Sequence, residues 1–75
     1  MVMKLVKTDR MEIDGRVCDL RYYERRTLRG GFRYSCEVLL GDSDRIIVDD
    51  DSLPGLESRV RHLVPATILS RSRPA

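Results

Sequence analysis

Arginine and aromatic residues alternate near the middle of the chain, in a pattern typical of surfaces that contact other molecules. The members of this set are Arg21, Tyr23, Arg25, Arg29, Phe32, Arg33 and Tyr34. Aromatic rings provide surfaces on which nucleic-acid bases stack, and interleaved guanidinium groups neutralise phosphates. The same residue types also suit cross-strand pairs in an ordinary sheet, or one half of a dimer interface. We therefore treat this set as a candidate interaction face.

The other reactive residue types form no recognisable catalytic or cofactor-binding pattern. His62 is the single histidine and lies between Arg61 and Leu63, where it has no evident nucleophile or acidic partner. Gly30-Gly31 lacks the strand–loop–helix context and the lysine of a phosphate-binding loop. A chain of 75 residues also has little room for a closed pocket. We therefore predict a non-catalytic protein without a cofactor.

Acidic residues are concentrated at Asp49, Asp50 and Asp51, with Asp42 and Asp44 nearby. Their spacing does not match a calcium loop, which needs acidic residues at alternate positions, a glycine and a distant glutamate. An acidic run before a helix instead suits helix capping and the positive end of the helix dipole. A zinc site is equally unsupported, because the sequence has no CxxC motif and no second histidine. We predict no metal site.

The two cysteines, Cys18 and Cys36, permit at most one disulfide bond. The predicted strand register places them on opposite faces of the sheet, where they cannot adopt the geometry that a disulfide requires. We therefore predict two free thiols and a reducing, cytoplasmic location. Residues 1–7 are too short and too charged for a signal peptide, and no apolar run approaches the length of a membrane span.

Charge and size limit the classes of function. Lys and Arg number 14 against 12 Asp and Glu, and a net charge of +2 argues against coating nucleic acid by electrostatics alone. Residues 1–40 and 58–75 are basic, whereas residues 41–57 are acidic. Arg greatly outnumbers Lys, and Asn and Gln do not occur, a bias typical of GC-rich coding sequence. A chain this short has a thin core, and association with another chain would supplement it.

Three glycine-containing turn signals divide the first part of the chain into strands. They are Asp14-Gly15, Gly30-Gly31 and Gly41-Asp42-Ser43-Asp44. The segments between them are rich in β-branched and aromatic residues, and they predict strands over residues 3–13, 17–27, 32–40 and 45–49. Consecutive hairpins predict an antiparallel meander sheet of three to four strands.

The apolar period changes after the fourth strand and predicts a C-terminal amphipathic helix over residues 53–64. Its apolar face would contain Leu53, Leu56, Val60, Leu63 and Val64. Ser52 or Asp51 would cap the N-terminus of this helix, Pro54 fits its first turn, and Pro65 would end it.

The segment after the helix is predicted to be short and simple. Residues 66–69 would add a short final strand or pack against the core, and residues 70–75 would form a frayed tail. The predicted fold is therefore a single small α+β domain with the order β-β-β-β-α. One helix can cover only one face of its sheet.

The length of the loop at Gly30-Gly31 decides which side chains share a face. Loops of two or four residues give registers that differ by two positions, so both leave every side chain on the same face. The first predicted face holds Cys18, Leu20, Tyr22, Leu39, Ile46 and Val48. The second predicted face holds Tyr23, Phe32, Tyr34, Cys36, Val38 and Ile47. We place the helix over the first face, which leaves Arg21, Tyr23, Arg25, Phe32 and Tyr34 exposed on the second, with Arg29 and Arg33 around the turn.

These predictions lead to two hypotheses of function. In the first, the chain is a non-catalytic protein-interaction or self-associating module, which dimerises by pairing of its first or fourth strand or by packing of its sheet. In the second, it is a small nucleic-acid-binding domain that uses the arginine and aromatic face.

The second hypothesis draws on a resemblance in topology. The predicted element order resembles sheet-plus-helix DNA-binding domains of the phage-integrase arm type, and this resemblance implies strands laid in a major groove. Because Asn and Gln, the usual readers of adenine, do not occur, such binding would address the backbone, the shape or guanine. The resemblance is confined to element order, so we favour the first hypothesis.

Overall fold

The computed structural model describes residues 3–13, 15–41 and 44–72, with side chains up to Ile68. Its elements are β1 Met3–Ile13, β2 Arg16–Arg26, β3 Phe32–Leu39, β4 Arg45–Asp50 and α1 Leu53–Ser72. The strands form one antiparallel sheet in the order β1-β2-β3-β4, and the helix follows them. The predicted α+β fold with the order β-β-β-β-α is confirmed.

The hairpin between β2 and β3 has a loop of five residues, because Arg26 pairs with Phe32. The backbone N–H of Thr27 donates to the carbonyl of Gly31 at 2.9 Å, and the N–H of Gly30 donates to the carbonyl of Thr27 at 3.1 Å. Gly30 has a φ of 81°, in the left-handed region that glycine adopts without steric cost. These bonds fix the loop at an odd number of residues.

The loop between β3 and β4 also spans five positions, since Leu39 pairs with Arg45 and the N–H of Leu40 donates to the carbonyl of Asp44. An odd loop shifts a strand by one position relative to an even one, and such a shift moves every side chain to the other face. The predicted face assignment of β3 is therefore wrong, because it assumed even loops. The two shifts cancel at β4, so the predicted faces of β2 and β4 agree with the observed pairing.

The corrected register changes which residues lie beneath the helix. Tyr22 pairs with Cys36, and Cys36 pairs with Val48, so these three residues share the helix side of the sheet. The predicted exposed face included Phe32, Tyr34, Cys36 and Val38, and all four lie on the helix side instead. Leu39 lies on the opposite face, where it is half-buried.

Helix α1 starts at the cap that the sequence predicts. The Ser52 hydroxyl accepts the backbone N–H of Gly55 at 3.1 Å, and the Ser52 carbonyl accepts the N–H of Leu56 at 2.9 Å. Pro54 lies in the first turn, where its missing N–H leaves no helical bond unmade. Ser52 is therefore the N-cap, whereas the Asp51 carboxylate pairs with Arg33 of β3.

The helix continues past Pro65, so the predicted end at Val64 and the predicted strand over residues 66–69 are wrong. Proline lacks the N–H that would bond to the carbonyl of Arg61, and it disfavours the α conformation of the residue before it. Continuation places Ile68 against the core with 6% of its surface exposed. Burial of such a side chain contributes about 1.5–3 kcal/mol, which offsets the lost bond.

The last turn of α1 includes residues 70–72, which the sequence predicts to be frayed, whereas residues 73–75 lie outside the described residues. No described helix is both long enough and apolar enough to cross a membrane.

The core lies between the helix and the central strands. Its buried apolar members are Cys18, Leu20, Tyr22, Cys36, Val38, Val48, Leu56, Val60, Val64 and Ile68. The helical members recur at every fourth position, which places them on one face of α1. Leu63 is 46% exposed, although the sequence pattern assigns it to that face. Cys18 and Cys36 are both free. The predicted reason is wrong, because both cysteines lie on the helix side of the sheet rather than on opposite faces.

Candidate interaction surfaces

The sheet face opposite the helix, here called the open face, is formed by side chains of all four strands. It consists of the odd-numbered residues of β2, β3 and β4, together with Met3, Leu5, Thr8, Arg10 and Glu12 of β1. A bulge between Leu5 and Lys7 changes the alternation of β1 at that point. Because α1 covers the other face, the open face is the larger uncovered surface of the sheet.

The structure divides the predicted interaction face among three places. Arg21, Tyr23 and Arg25 lie on the open face, as predicted, and Arg33, which the sequence placed around the turn, also lies there. Phe32 and Tyr34 lie on the helix side of β3, and Arg29 lies in the exposed loop between β2 and β3. The predicted grouping of Phe32 and Tyr34 on one face with Arg21, Tyr23 and Arg25 is therefore wrong. The one-position shift of β3 is the physical reason.

Carboxylates neutralise much of the positive charge on the open face. The Arg10 Nε lies 3.2 Å from Asp19 Oδ1, and the Arg45 Nη1 donates to Glu37 Oε2 at 2.7 Å. Arg21 lies 3.8 Å from the other oxygen of Glu37, which is therefore held between two guanidinium groups. Arg33 pairs with Asp51 just beyond the end of β4. These pairs give the face a mixed charge pattern.

An apolar patch accompanies these ion pairs. Met3, Leu5 and Ile47 are 51%, 49% and 59% exposed, and Tyr23 lies half-buried among them. A depression of about 390 Å³ opens over Ser35, whose small side chain lies between larger neighbours. The Ser35 hydroxyl donates to Asp49 Oδ1, so the polar group at the floor of the depression has a hydrogen-bond partner within the chain.

Sequence reasoning missed the β1 part of this patch. The exposed apolar residues of β1 lie before the bulge at Leu5 and Lys7, and the bulge breaks the alternation that would identify their face. The apolar residues Met3 and Leu5 at alternate positions were the available signal. That signal becomes useful only once Leu5 is known to pair with Tyr23.

The second surface lies on the helix side, at the end of the β2–β3 hairpin that α1 does not cover; we call it the hairpin end. Its residues are Lys4, Glu24, Arg26, Thr27, Leu28, Arg29 and Phe32. Except for Arg29, these side chains line a groove of about 880 Å³. The Arg26 guanidinium lies 5.7 Å from the centroid of the Phe32 ring, within cation–π range.

Tyr34 lies beside the hairpin end and forms a hydrogen bond with Glu24. Its hydroxyl donates to Glu24 Oε2 at 3.0 Å. That hydrogen bond raises the pKa of Tyr34 above its ordinary value, because ionisation would place two negative charges together. Tyr34 therefore serves as a cross-strand partner of Glu24 rather than as a freely exposed ring.

Two ionisable groups of the core, Tyr22 and Cys36, are held in their neutral forms. Burial raises the pKa of Cys36 to about 11, and burial also raises the pKa of Tyr22 above its ordinary value. A thiol with a raised pKa has little thiolate at neutral pH and is a poor nucleophile. Cys36 is therefore a core residue rather than a reactive one.

The acidic run is divided among separate partners. Asp49 accepts the Ser35 hydroxyl, Asp50 pairs with Arg59 at 3.4 Å, and Asp51 pairs with Arg33. Asp42, which the sequence placed near this run, lies outside the described residues. Within residues 3–13, 15–41 and 44–72, no group of three or more His, Cys, Asp or Glu side chains could hold a metal ion.

Comparison with known proteins finds no matching family profile, curated protein or solved structure.

Proposed function

We propose that this chain is a non-catalytic interaction module that forms a homodimer by packing two open faces against each other. The observation that carries the proposal is the apolar patch on that face. Met3, Leu5 and Ile47 each expose about half of their surface; Leu5 pairs with the half-buried Tyr23, and Met3, Tyr23 and Ile47 line one depression. Contiguous exposed apolar side chains with a polar surround are typical of interaction surfaces.

The total exposed surface of the chain supports a partner as large as a second copy of the chain. The chain exposes 5639 Å², whereas a compact monomer of 8.7 kDa would expose about 4,700 Å². The excess of about 900 Å² is close to the roughly 800 Å² that each partner buries in a standard interface. The chain therefore has enough surface for an interface of standard size.

The two sheet edges are less suited to association than the face. On β4, the Arg59 Nη1 donates to the outward carbonyl of Asp49 at 3.2 Å, so a helix side chain occupies that edge. On β1, the bulge between Leu5 and Lys7 interrupts the regular row of backbone groups. Blocked and bulged edges are the devices by which sheets avoid edge pairing.

The charge pattern favours a protein partner over nucleic acid at this face. Glu37 is held by Arg21 and Arg45, and Asp19 pairs with Arg10, so much of the guanidinium charge is neutralised within the chain. Nucleic-acid affinity depends on cations that are available to phosphates. A mixed pattern instead suits a twofold interface, in which a surface must complement itself.

The proposal includes a cytoplasmic location. Cys18 and Cys36 are fully buried and unpaired, as is usual for proteins of reducing compartments.

Sedimentation velocity and light scattering at several protein concentrations test the dimer. We expect the wild-type chain to show twice the 8.7 kDa monomer mass. The Ile47→Lys variant should remain a monomer, because two buried ammonium groups would lack partners. The control is Leu28→Lys, since Leu28 is fully exposed in the hairpin loop, away from the open face. A monomeric wild type, or equal dissociation of both variants, would overturn the proposal.

A further inference from the structure

Positive charge remains available at the hairpin end, in contrast to the open face. Lys4, Arg26 and Arg29 are exposed, and none of them forms an ion pair with a carboxylate in the described part of the chain. The three side chains come from β1, β2 and the loop that follows β2. The pairing of Lys4 with Glu24 and of Arg26 with Phe32 places Lys4 and Arg26 at this end of the sheet, and Arg29 lies in the adjoining loop.

An aromatic ring lies among these cations. Phe32 is 46% exposed, although it is the first residue of β3 and points to the helix side. Helix α1 begins beyond the end of β4, where Asp50 pairs with Tyr34, so it does not reach Phe32. The Arg26 guanidinium, 5.7 Å from the ring centroid, holds a positive charge beside the exposed ring.

The acid of this groove is already engaged. Glu24 accepts the Tyr34 hydroxyl at 3.0 Å. The groove of about 880 Å³ is within the range of small-ligand sites, and Leu28 and Phe32 make part of its lining apolar. An exposed ring beside unneutralised cations is the combination that recognises a base and its adjoining phosphates.

We propose that the hairpin end binds single-stranded nucleic acid, with one base stacked on Phe32 and the adjoining phosphates contacted by Lys4, Arg26 and Arg29. This site lies on the opposite side of the sheet from the dimer face, so it does not depend on the proposed dimer. Stacking does not distinguish bases strongly, and the site is therefore expected to show little sequence preference.

Fluorescence anisotropy with a fluorescein-labelled oligothymidylate of about twelve nucleotides tests this site. We expect saturable binding at about 20 mM salt and a log–log salt slope of about −2, as for roughly three phosphates on a single strand. Phe32→Leu keeps an apolar side chain but removes the ring, and it should weaken binding about tenfold. Arg29→Ala should make the salt slope shallower by about 0.7.

Two controls separate stacking from general charge. Arg61→Ala removes an equal charge from the exposed surface of α1 and should leave the affinity within about twofold of wild type. An abasic oligonucleotide of the same length keeps the phosphates and should bind about tenfold more weakly than oligothymidylate. Equal binding of the two oligonucleotides, no effect of Phe32→Leu in a variant with wild-type circular dichroism, or no binding at low salt would each overturn the proposal.

Discussion

The Lys7 ammonium on β1 lies 2.7 Å from the Glu57 carboxylate on α1, fifty residues later in the chain. The same ammonium lies 4.8 Å from the centroid of the buried Tyr22 ring. Both charged side chains are about one-third exposed, so water screens them less than it screens a surface pair. Since α1 lies mainly over β3 and β4, this ion pair gives the outer strand β1 a direct link to the helix.

A double-mutant cycle of Lys7→Ala and Glu57→Ala should give a coupling free energy of about 1 kcal/mol in urea unfolding. The matched control is the cycle of Arg10→Ala and Asp19→Ala, whose side chains are 79% and 60% exposed. That exposed pair should couple by less than about 0.5 kcal/mol. Coupling of equal size in the two cycles would show that the link between β1 and the helix adds no particular stability.

The faces of β2 could be predicted because the middle of the strand alternates, although Val17 and Tyr23 lie on the open face. Cys18, Leu20 and Tyr22 are apolar, and they alternate with Asp19 and Arg21, so the buried side follows from residue type alone. In β3 the apolar residues Phe32, Tyr34, Cys36 and Val38 also alternate with more polar ones, but the assumed length of the neighbouring loops assigned them to the wrong face. The actual length is set by backbone hydrogen bonds of Thr27 and Gly31, which composition does not specify.

The candidate site was predictable only in part for the same reason. Tyr23 and Arg25 belong to β2 and lie on the open face, as predicted. Phe32 belongs to β3, whose faces were assigned wrongly, and it lies on the helix side. The helix end was missed for a different reason: Pro65 is a strong local signal, but burial of Ile68 outweighs it. Local propensity is a weak guide wherever tertiary packing opposes it.

Gly30→Ala should lower the free energy of unfolding by about 1–2 kcal/mol. Gly30 has a φ of 81°, a conformation that strains any residue with a Cβ atom, although a Cβ at this position would meet no other atom within 4 Å. The control is Gly41→Ala in the next hairpin, because Gly41 also has open space but no left-handed φ. Gly41→Ala should be neutral or slightly stabilising. Equal losses in thermal or urea unfolding would contradict this assignment of strain.

Pro65→Ala should raise the free energy of unfolding by about 1–3 kcal/mol. Alanine restores the N–H that can bond to the Arg61 carbonyl, and it removes the ring that crowds the preceding turn. Pro54→Ala is the matched control, because Pro54 lies in the first turn of the same helix, where proline is tolerated. That variant should change stability by less than about 0.5 kcal/mol. A loss of stability in Pro65→Ala would contradict the continuous helix through residue 72.

The stability of the chain should fall at alkaline pH because of Cys36. Its thiol is fully buried, and its folded pKa is raised to about 11 from an ordinary value of 9.0. Between these values the unfolded chain releases the thiol proton while the folded chain retains it, so the free energy of unfolding decreases as pH rises. The expected loss across this window is about 2 kcal/mol.

Urea unfolding at a series of pH values between about 8 and 11 measures this loss, and Cys36→Ala should flatten the dependence even though it lowers stability at every pH. Tyr22→Phe is the companion variant, because the raised pKa of Tyr22 adds a further loss only above its ordinary value of 10.0. The two variants should therefore remove different parts of the curve. An unchanged pH dependence in Cys36→Ala would show that the buried thiol is not the group that titrates.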